Sequence, residues 1–252
     1  MSPSNFVWHE LMTTDTQAAE AFYTRVVGLQ AADSGMPGMA YTILSAAGTR
    51  VAGVMGTPPH ATGMPPNWTG YIAVPNVDSY AEKVRDAGGS ILVDPQDIPE
   101  VGRFAIAQDP HGAFFALFSS DYPPQPPAAP NTLGLVGWNE LHAGDLDSAW
   151  VFYSDLFGWT KADTVDMGPM GIYQLFAAGG DAIGGMMTKT PQSPAPFWLY
   201  YFNVDAIDAA VERIAAAGGK VIQGPHEVPG GSWIVQALDP QGALFALVAT
   251  KR

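Results

Sequence analysis

The 252-residue chain carries nearly the same message twice. Trp8-His9-Glu10-Leu11 returns as Trp138-Asn139-Glu140-Leu141, a spacing of 130 residues from position 8 to position 138. Asp15 returns as Asp145, Phe22-Tyr23 as Phe152-Tyr153, and Gly28 as Gly158. Gly88-Gly89 returns as Gly218-Gly219, and Asp109-Pro110-His111-Gly112-Ala113 as Asp239-Pro240-Gln241-Gly242-Ala243. A period this long, held through loops and regular elements alike, means two copies of one domain. Each copy, at roughly 120 residues, can bury its own core. We therefore expect a first domain over residues 1–120, a linker over 121–133 and a second domain over 134–252. The linker contains Asp121-Tyr122-Pro123-Pro124-Gln125-Pro126-Pro127-Ala128-Ala129-Pro130, a run too rich in proline to join a sheet.

Within each copy the pattern is strand, Asp-capped helix, then short strands, and it occurs twice. Phe6 to Met12 reads as a strand, with Thr14 or Asp15 available to cap a helix that ends at Gly28. Ala19, Phe22, Tyr23 and Val26 give that helix an apolar stripe. Tyr71 to Val74 is a second strand, and Asp78 is the expected cap of a helix that ends at Gly88. The second copy repeats this over Asp145 to Gly158 and Asp208 to Gly218. Further β runs are expected at residues 40–44, 50–55, 104–107 and 114–118, with partners at 172–176, 182–187, 234–237 and 244–248. Asp109-Pro110-His111-Gly112 has the residues of a type I turn. The Pro/Gly-rich loops at 56–67 and 188–196 could form lips over a cleft.

Hydrophobic residues at 47% and charged residues at 14% suit a folded chain, not a disordered one. A formal net charge of −13 repels phosphate backbones and anionic lipid, so neither nucleic acid nor membrane is an expected partner. With no cysteine there is no disulfide, thiolate ligand or cysteine nucleophile, which is compatible with the expected cytoplasmic location. The first residues lack the basic-then-apolar pattern of a signal peptide, and no run of about 18 apolar residues is present.

The strand-Asp-helix opening with Phe22-Tyr23 and Gly28, the Gly88-Gly89 helix end and the closing Asp109-Pro110-His111-Gly112 turn occur in this order in both copies. The layout resembles the vicinal oxygen chelate superfamily of glyoxalases, bleomycin-resistance proteins and extradiol dioxygenases. The resemblance implies an α+β fold: tandem glyoxalase-like domains, each of two βαβββ modules forming a curved mixed sheet around a cleft. It also implies an intrachain pseudo-dimer, as a monomer or a homodimer. In metal-dependent members four side chains, typically His or Gln and Glu, hold an ion. Those positions fall here on Trp8 and Trp138, near Gly53 and Gly185, on Tyr71 and Tyr201, and on Ala116 and Ala246. None is a good donor to a divalent metal. A one-residue slip would put His9 or Asn139 at the first position and leave the alanines unchanged. No metal and no cofactor is expected. Relatives build active sites from modules of two domains, which would set Glu140 and His142 opposite Tyr71, and Glu10 opposite Tyr201 and Asn203.

Side chains alternate along a strand, so Trp8, Glu10 and Met12 share one face. The same face of the second copy carries Trp138, Glu140 and His142. A carboxylate among aromatics can act as a general base or as an anchor for a cation. A Glu140–His142 pair can move protons near neutral pH, with Glu10 as the matching group in the first copy. Met12 stands in place of the histidine there, so the two clefts are not equivalent. Tyr41 and Tyr173 are candidates to present hydroxyls. The bland alternatives stay open: the glutamates as backbone partners, His142 as an interior histidine, and Trp8, Trp138, Tyr71, Tyr201, Trp68 and Trp198 as core.

Two readings of function follow. One is metal-independent binding of a small apolar or aromatic molecule in a Trp/Tyr-lined cleft, for sequestration or detoxification. The other is a metal-free isomerase, lyase or hydrolase using Glu140 and His142. A metal-dependent glyoxalase or dioxygenase and a non-catalytic interaction protein rank below these.

Overall fold

In the computed structural model, which describes residues 4–36, 38–61, 63–123, 129 and 131–252, the repeat resolves into four βαβββ modules. The first is β1 (Phe6–Thr13), α1 (Thr16–Val27), β2 (Gln30–Asp33), β3 (Tyr41–Ala46) and β4 (Thr49–Gly56). The second is β5 (Asn67–Ala73), α2 (Val77–Asp86), β6 (Ser90–Ile98), β7 (Gly102–Gln108) and β8 (Phe114–Ser120). The third is β9 (Val136–Ala143), α3 (Leu146–Phe157), β10 (Thr160–Asp166), β11 (Ile172–Ala177) and β12 (Ala182–Thr188). The fourth is β13 (Phe197–Asn203), α4 (Ile207–Ala216), β14 (Lys220–Glu227), β15 (Trp233–Leu238) and β16 (Leu244–Ala249). The strands fall into two eight-stranded mixed sheets, an α+β architecture. In every module the first strand pairs in parallel with a partner, β1 with β4, β5 with β8, β9 with β12 and β13 with β16.

Helix ends follow local chemistry. Asp15 caps α1 by accepting from the Ala18 N–H at 3.0 Å, and Gly28 ends it at φ +86°. Asp145 and Gly158 do the same for α3. A left-handed residue at this point favours glycine because it has no Cβ to clash. Two expected caps are corrected. Asn76, not Asp78, caps α2 by accepting from Ser79 N at 2.8 Å, and Ala206 precedes α4 without a side-chain cap. Asp78 and Asp208 lie in the first helical turns, where a negative charge still complements the helix dipole. The sequence reading also missed the strand after each helix: β2, β6, β10 and β14. These are sheet edges; β2 is exposed at all four positions, so it has no buried face to impose alternation. Much of the expected proline linker lies outside the described residues. Beyond it, Gly134 N donates to Asn203 O and Asn203 N to Leu135 O, each at 2.8 Å.

By contact the chain divides into two compact units, and each combines modules from different repeats. The first unit holds the second module from Thr69 on and the third from Trp138 on, with Phe6, Phe197 and Trp198. The second unit holds the rest of the first and fourth modules, with Asn67, Trp68, Val136 and Gly137. Thus Glu140, His142 and Tyr71 share one unit, and Glu10, Tyr201 and Asn203 share the other.

Each unit has a buried polar spine. In the first, Trp198 Nε1 donates to the Tyr153 hydroxyl at 3.0 Å, which donates to Asp109 Oδ2 at 3.3 Å. Asp109 Oδ1 accepts from the backbone N–H of His111 and of Ala113, both at 2.9 Å. In the second, Trp68 donates to Tyr23 at 2.9 Å and Tyr23 to Asp239 at 3.1 Å, while Asp239 fastens Gln241 N and Ala243 N. The Asp-Pro turn of one repeat is thereby tied to the first helix of the other. Aromatic rings pack edge-on around these spines, including Phe115 on Tyr153 and Phe245 on Tyr23. Trp68 and Trp198, 7% and 6% exposed, therefore belong to the core.

Candidate functional site

The alternation of β1 sorts its residues cleanly. His9, Leu11 and Thr13 are buried, while Trp8, Glu10 and Met12 are partly exposed on the opposite face. His9 packs edge-on against Tyr200 at 4.7 Å, so it does not share the face of Glu10. That removes the slipped alignment, since a one-residue shift reverses the face.

On the Glu10 face, Trp8 Nε1 donates to the Tyr41 hydroxyl at 3.0 Å, and that hydroxyl donates to Glu10 Oε2 at 2.9 Å. The first unit repeats the relay. Trp138 Nε1 donates to Tyr173 at 2.7 Å, and Tyr173 hydrogen-bonds the Glu140 carboxylate. Glycine makes this geometry available. Glu10 lies beside Gly53 in the sheet, and Glu140 beside Gly185. A Cβ on Gly53 would sit 1.9 Å from the Tyr41 hydroxyl oxygen, and one on Gly185 would sit 2.2 Å from Tyr173 Cζ. The tyrosine ring thus occupies the space that any side chain at these positions would need. Tyr41 and Tyr173 do not present free hydroxyls; they are the middle members of relays.

The units differ beyond the relay. His142 Nε2 lies 3.1 Å from Glu140 Oε2, and the imidazole stacks on Phe197 with centroids 4.4 Å apart and planes 9° off parallel. His142 Nδ1 is buried and has no hydrogen-bond partner. Met12 holds the matching position in the second unit, and Asn67 matches Phe197. Phe197 escaped the sequence reading. Its signal was that positions 142 and 197 both depart from their partners Met12 and Asn67.

The other expected contacts are placed as follows. Tyr71 is buried against Phe104 and Phe118, with ring centroids 6.4 and 6.2 Å away. Tyr201 is 2% exposed, and its hydroxyl accepts from Gln236 Nε2 at 2.9 Å. Asn203 is committed to main chain, its Nδ2 donating to Thr132 O at 3.1 Å. His111 Nε2 lies 2.9 Å from Ser148 Oγ at the start of α3, where it buttresses a helix cap. Open recesses over Thr13, Thr57 and Met64, and over Asn203, Asp205 and Lys251, include none of the relay residues. Chemistry, not hollow volume, singles out the relays.

Burial, reinforced by the adjacent carboxylate, holds the Tyr41 and Tyr173 hydroxyls well above the ordinary tyrosine pKa, and the same holds for Tyr23 beside Asp239. A folded-state value raised above the unfolded one contributes stability that is complete below about pH 10 and is lost as pH rises further. Each of the three should then cost about 1.4 kcal/mol per pH unit above that point. Tyrosinate absorbance is expected to show these three silent until the chain unfolds. Early ionisation of all nine tyrosines, with the fold intact, would contradict the relays.

Comparison with known proteins agrees with the fold. The family described as "Glyoxalase/Bleomycin resistance protein/Dioxygenase superfamily" matches residues 5–117 and again 135–247. CFP32 of Mycobacterium tuberculosis (strain CDC 1551 / Oshkosh), which carries a glyoxylase name, is 35% identical over 244 residues, covering 96% of this chain and 93% of that protein. "Anthracycline biosynthesis protein DauV" of Streptomyces sp. (strain C5) is 33% identical over 264 aligned residues, covering 98% and 94%. Among solved structures, the Mn(II)-bound glyoxalase from Novosphingobium aromaticivorans superposes with a TM-score of 0.70 at 16% identity, covering 100% of this chain and 84% of that one, a likeness of fold.

The manganese of that structure calls for a test of fit. Among the described residues no three His, Asp or Glu side chains gather where an ion could be held. The relay in the second unit offers one carboxylate and one phenol already bonded to it; the first unit adds one imidazole. At the positions assigned by resemblance stand indole, glycine, tyrosine and the buried alanines Ala116 and Ala246. These residues do not fit a divalent-metal centre. No helix among the described residues is long and apolar enough to cross a membrane.

Proposed function

This chain belongs to the glyoxalase/bleomycin resistance protein/dioxygenase superfamily, and from that premise we propose that it binds a small, largely aromatic molecule without a metal. The observation that carries the reading is the duplicated Trp–Tyr–Glu relay over a glycine, which fills the expected ligand-bearing position with a tyrosine ring. An indole wall with a carboxylate behind it suits a flat aromatic compound that is neutral or cationic, because the ring face and the Glu charge both attract a cation. The name of DauV points the same way, toward fused aromatic rings. Sequestration within an intrachain pseudo-dimer and a cytoplasmic location belong to the same proposal.

The test is a titration of intrinsic tryptophan fluorescence with an anthracycline, before and after exhaustive treatment with chelator. Saturable quenching of equal strength in both samples is expected, with the compound recovered unchanged. Binding that vanishes with the chelator and returns with added metal would sink the reading, and so would no quenching at any concentration.

A second reading, acid–base chemistry by Glu140 and His142, is favoured by their 3.1 Å contact and by the unpartnered Nδ1.

A further inference from the structure

We propose that Ser148 and His111 form a solvent-open reactive centre on the first unit, a serine nucleophile with a histidine base that takes acyl groups from small aryl esters. Both residues are exposed, and His111 Nε2 lies 2.9 Å from Ser148 Oγ. Neither belongs to a relay, so this activity is independent of ligand binding there. The buried spine sets the pair in reach. His111 N donates to Asp109 Oδ1 at 2.9 Å, and Asp109 Oδ2 accepts from Tyr153, which shares α3 with Ser148. Gly144 leaves the room, since a Cβ there would sit 2.5 Å from His111 Cβ. The other copy keeps the scaffold without the pair. Its spine joins Tyr23 to Asp239 in the same way, yet Gln241, Ala18 and Thr14 stand at the positions of His111, Ser148 and Gly144. Gln241 Oε1 is buried there with no hydrogen-bond partner. Asp15 caps α1 with neither serine nor histidine beside it, so a buttress for the cap is not required by the fold. The serine, the histidine and the glycine that admits it change together.

A serine hydroxyl needs a base to become a nucleophile, and two acceptors are within reach. Ser148 Oγ also lies 2.7 Å from Asp145 Oδ1, which accepts from Ser148 N at 2.9 Å. These bonds from Ser148, with the nearby His111 ring, hold the Asp145 carboxyl below the ordinary range, so it is the weaker base. With its proton on Nδ1, His111 presents the Nε2 lone pair to the hydroxyl. Oγ attacks the ester carbonyl carbon as its proton passes to Nε2. The C–O bond to the aryl group then breaks, and the phenolate leaves with that electron pair and takes the proton from Nε2. Water attacks the acyl-serine, gives a proton to Nε2, and the acid departs as Ser148 recovers its hydrogen. The Asp145 charge stabilises the imidazolium between these steps. The surroundings select the acyl group. Val151, 57% exposed and one turn along α3, offers an apolar rest for a short chain. The carboxylates of Asp145 and Asp147 repel an anionic one.

The full chain, treated with 4-nitrophenyl acetate, digested and sequenced by mass spectrometry, should carry acetyl on Ser148. Acetyl at that oxygen reads the nucleophile directly in the unmutated protein, whatever the stability of any variant. His111→Gln installs the residue of the other copy and should melt as the wild type does. It should slow acetylation of Ser148 roughly a hundredfold, which a helix buttress would not do. The anionic monoester 4-nitrophenyl succinate should label Ser148 more slowly than the acetate. Acetyl confined to other residues, or Ser148 labelled at the wild-type rate in His111→Gln, overturns the proposal. Equal labelling by the anionic and neutral esters overturns the assigned substrate class.

Discussion

Asp109→Ala is expected to be among the most damaging single substitutions in the chain, costing on the order of 3 kcal/mol or more. The carboxylate accepts from three groups at once: the N–H of His111, the N–H of Ala113 and the Tyr153 hydroxyl. Asp109 is 3% exposed and Tyr153 fully buried, so water cannot replace what the substitution removes. Orphaning a buried donor costs about 1–3 kcal/mol, more than the modest net gain from making the same bond. Tyr153 also accepts from Trp198, so the loss propagates along the spine. Urea unfolding should show a lower midpoint. An unchanged midpoint would mean that the spine is dispensable. Tyr153→Phe is the milder comparison, since it leaves the turn bonds of Asp109 in place.

Gly185→Ala is expected to abolish ligand binding and to destabilise the first unit, although it adds only one methyl group. That methyl would lie 2.2 Å from Tyr173 Cζ and 2.4 Å from its hydroxyl oxygen, so the ring must leave. Overpacking of this kind costs about 1–3 kcal/mol, and the displaced ring releases both Trp138 Nε1 and the Glu140 carboxylate. Gly180→Ala is the control, because a Cβ there meets nothing within 4 Å. Tryptophan quenching by an anthracycline and thermal melting of both variants form the check. Binding by Gly185→Ala at wild-type strength would separate the relay from ligand recognition.

The sequence was most legible where a residue's role is local. Asp15 and Asp145 announce helix starts because a cap needs only its own next three residues. The Asp-Pro-x-Gly turns read correctly for the same reason. β2 and β10 were missed because nearly every position in them is exposed, so no apolar face is written into their residues. The face shared by Trp8 and Glu10, and by Trp138 and Glu140, followed from strand alternation alone. That Tyr41 and Tyr173 reach those faces from two strands away, across Gly53 and Gly185, did not, since pairing register is not written in either strand by itself.

The sequence by itself determined that one domain occurs twice, with a strand and a helix opening each half-copy; the βαβββ module and the positions compared with metal ligands came from the resemblance. The repeat needed only the order and identity of residues. Tertiary structure decided that modules of different repeats form each compact unit, because that choice depends on which buried faces fit one another. It also decided that the tyrosine hydroxyls sit between indole and carboxylate, and that His142 keeps one buried nitrogen unpartnered. A hydrogen bond between residues more than thirty positions apart is a property of distances, which the fold sets and the order of residues does not reveal.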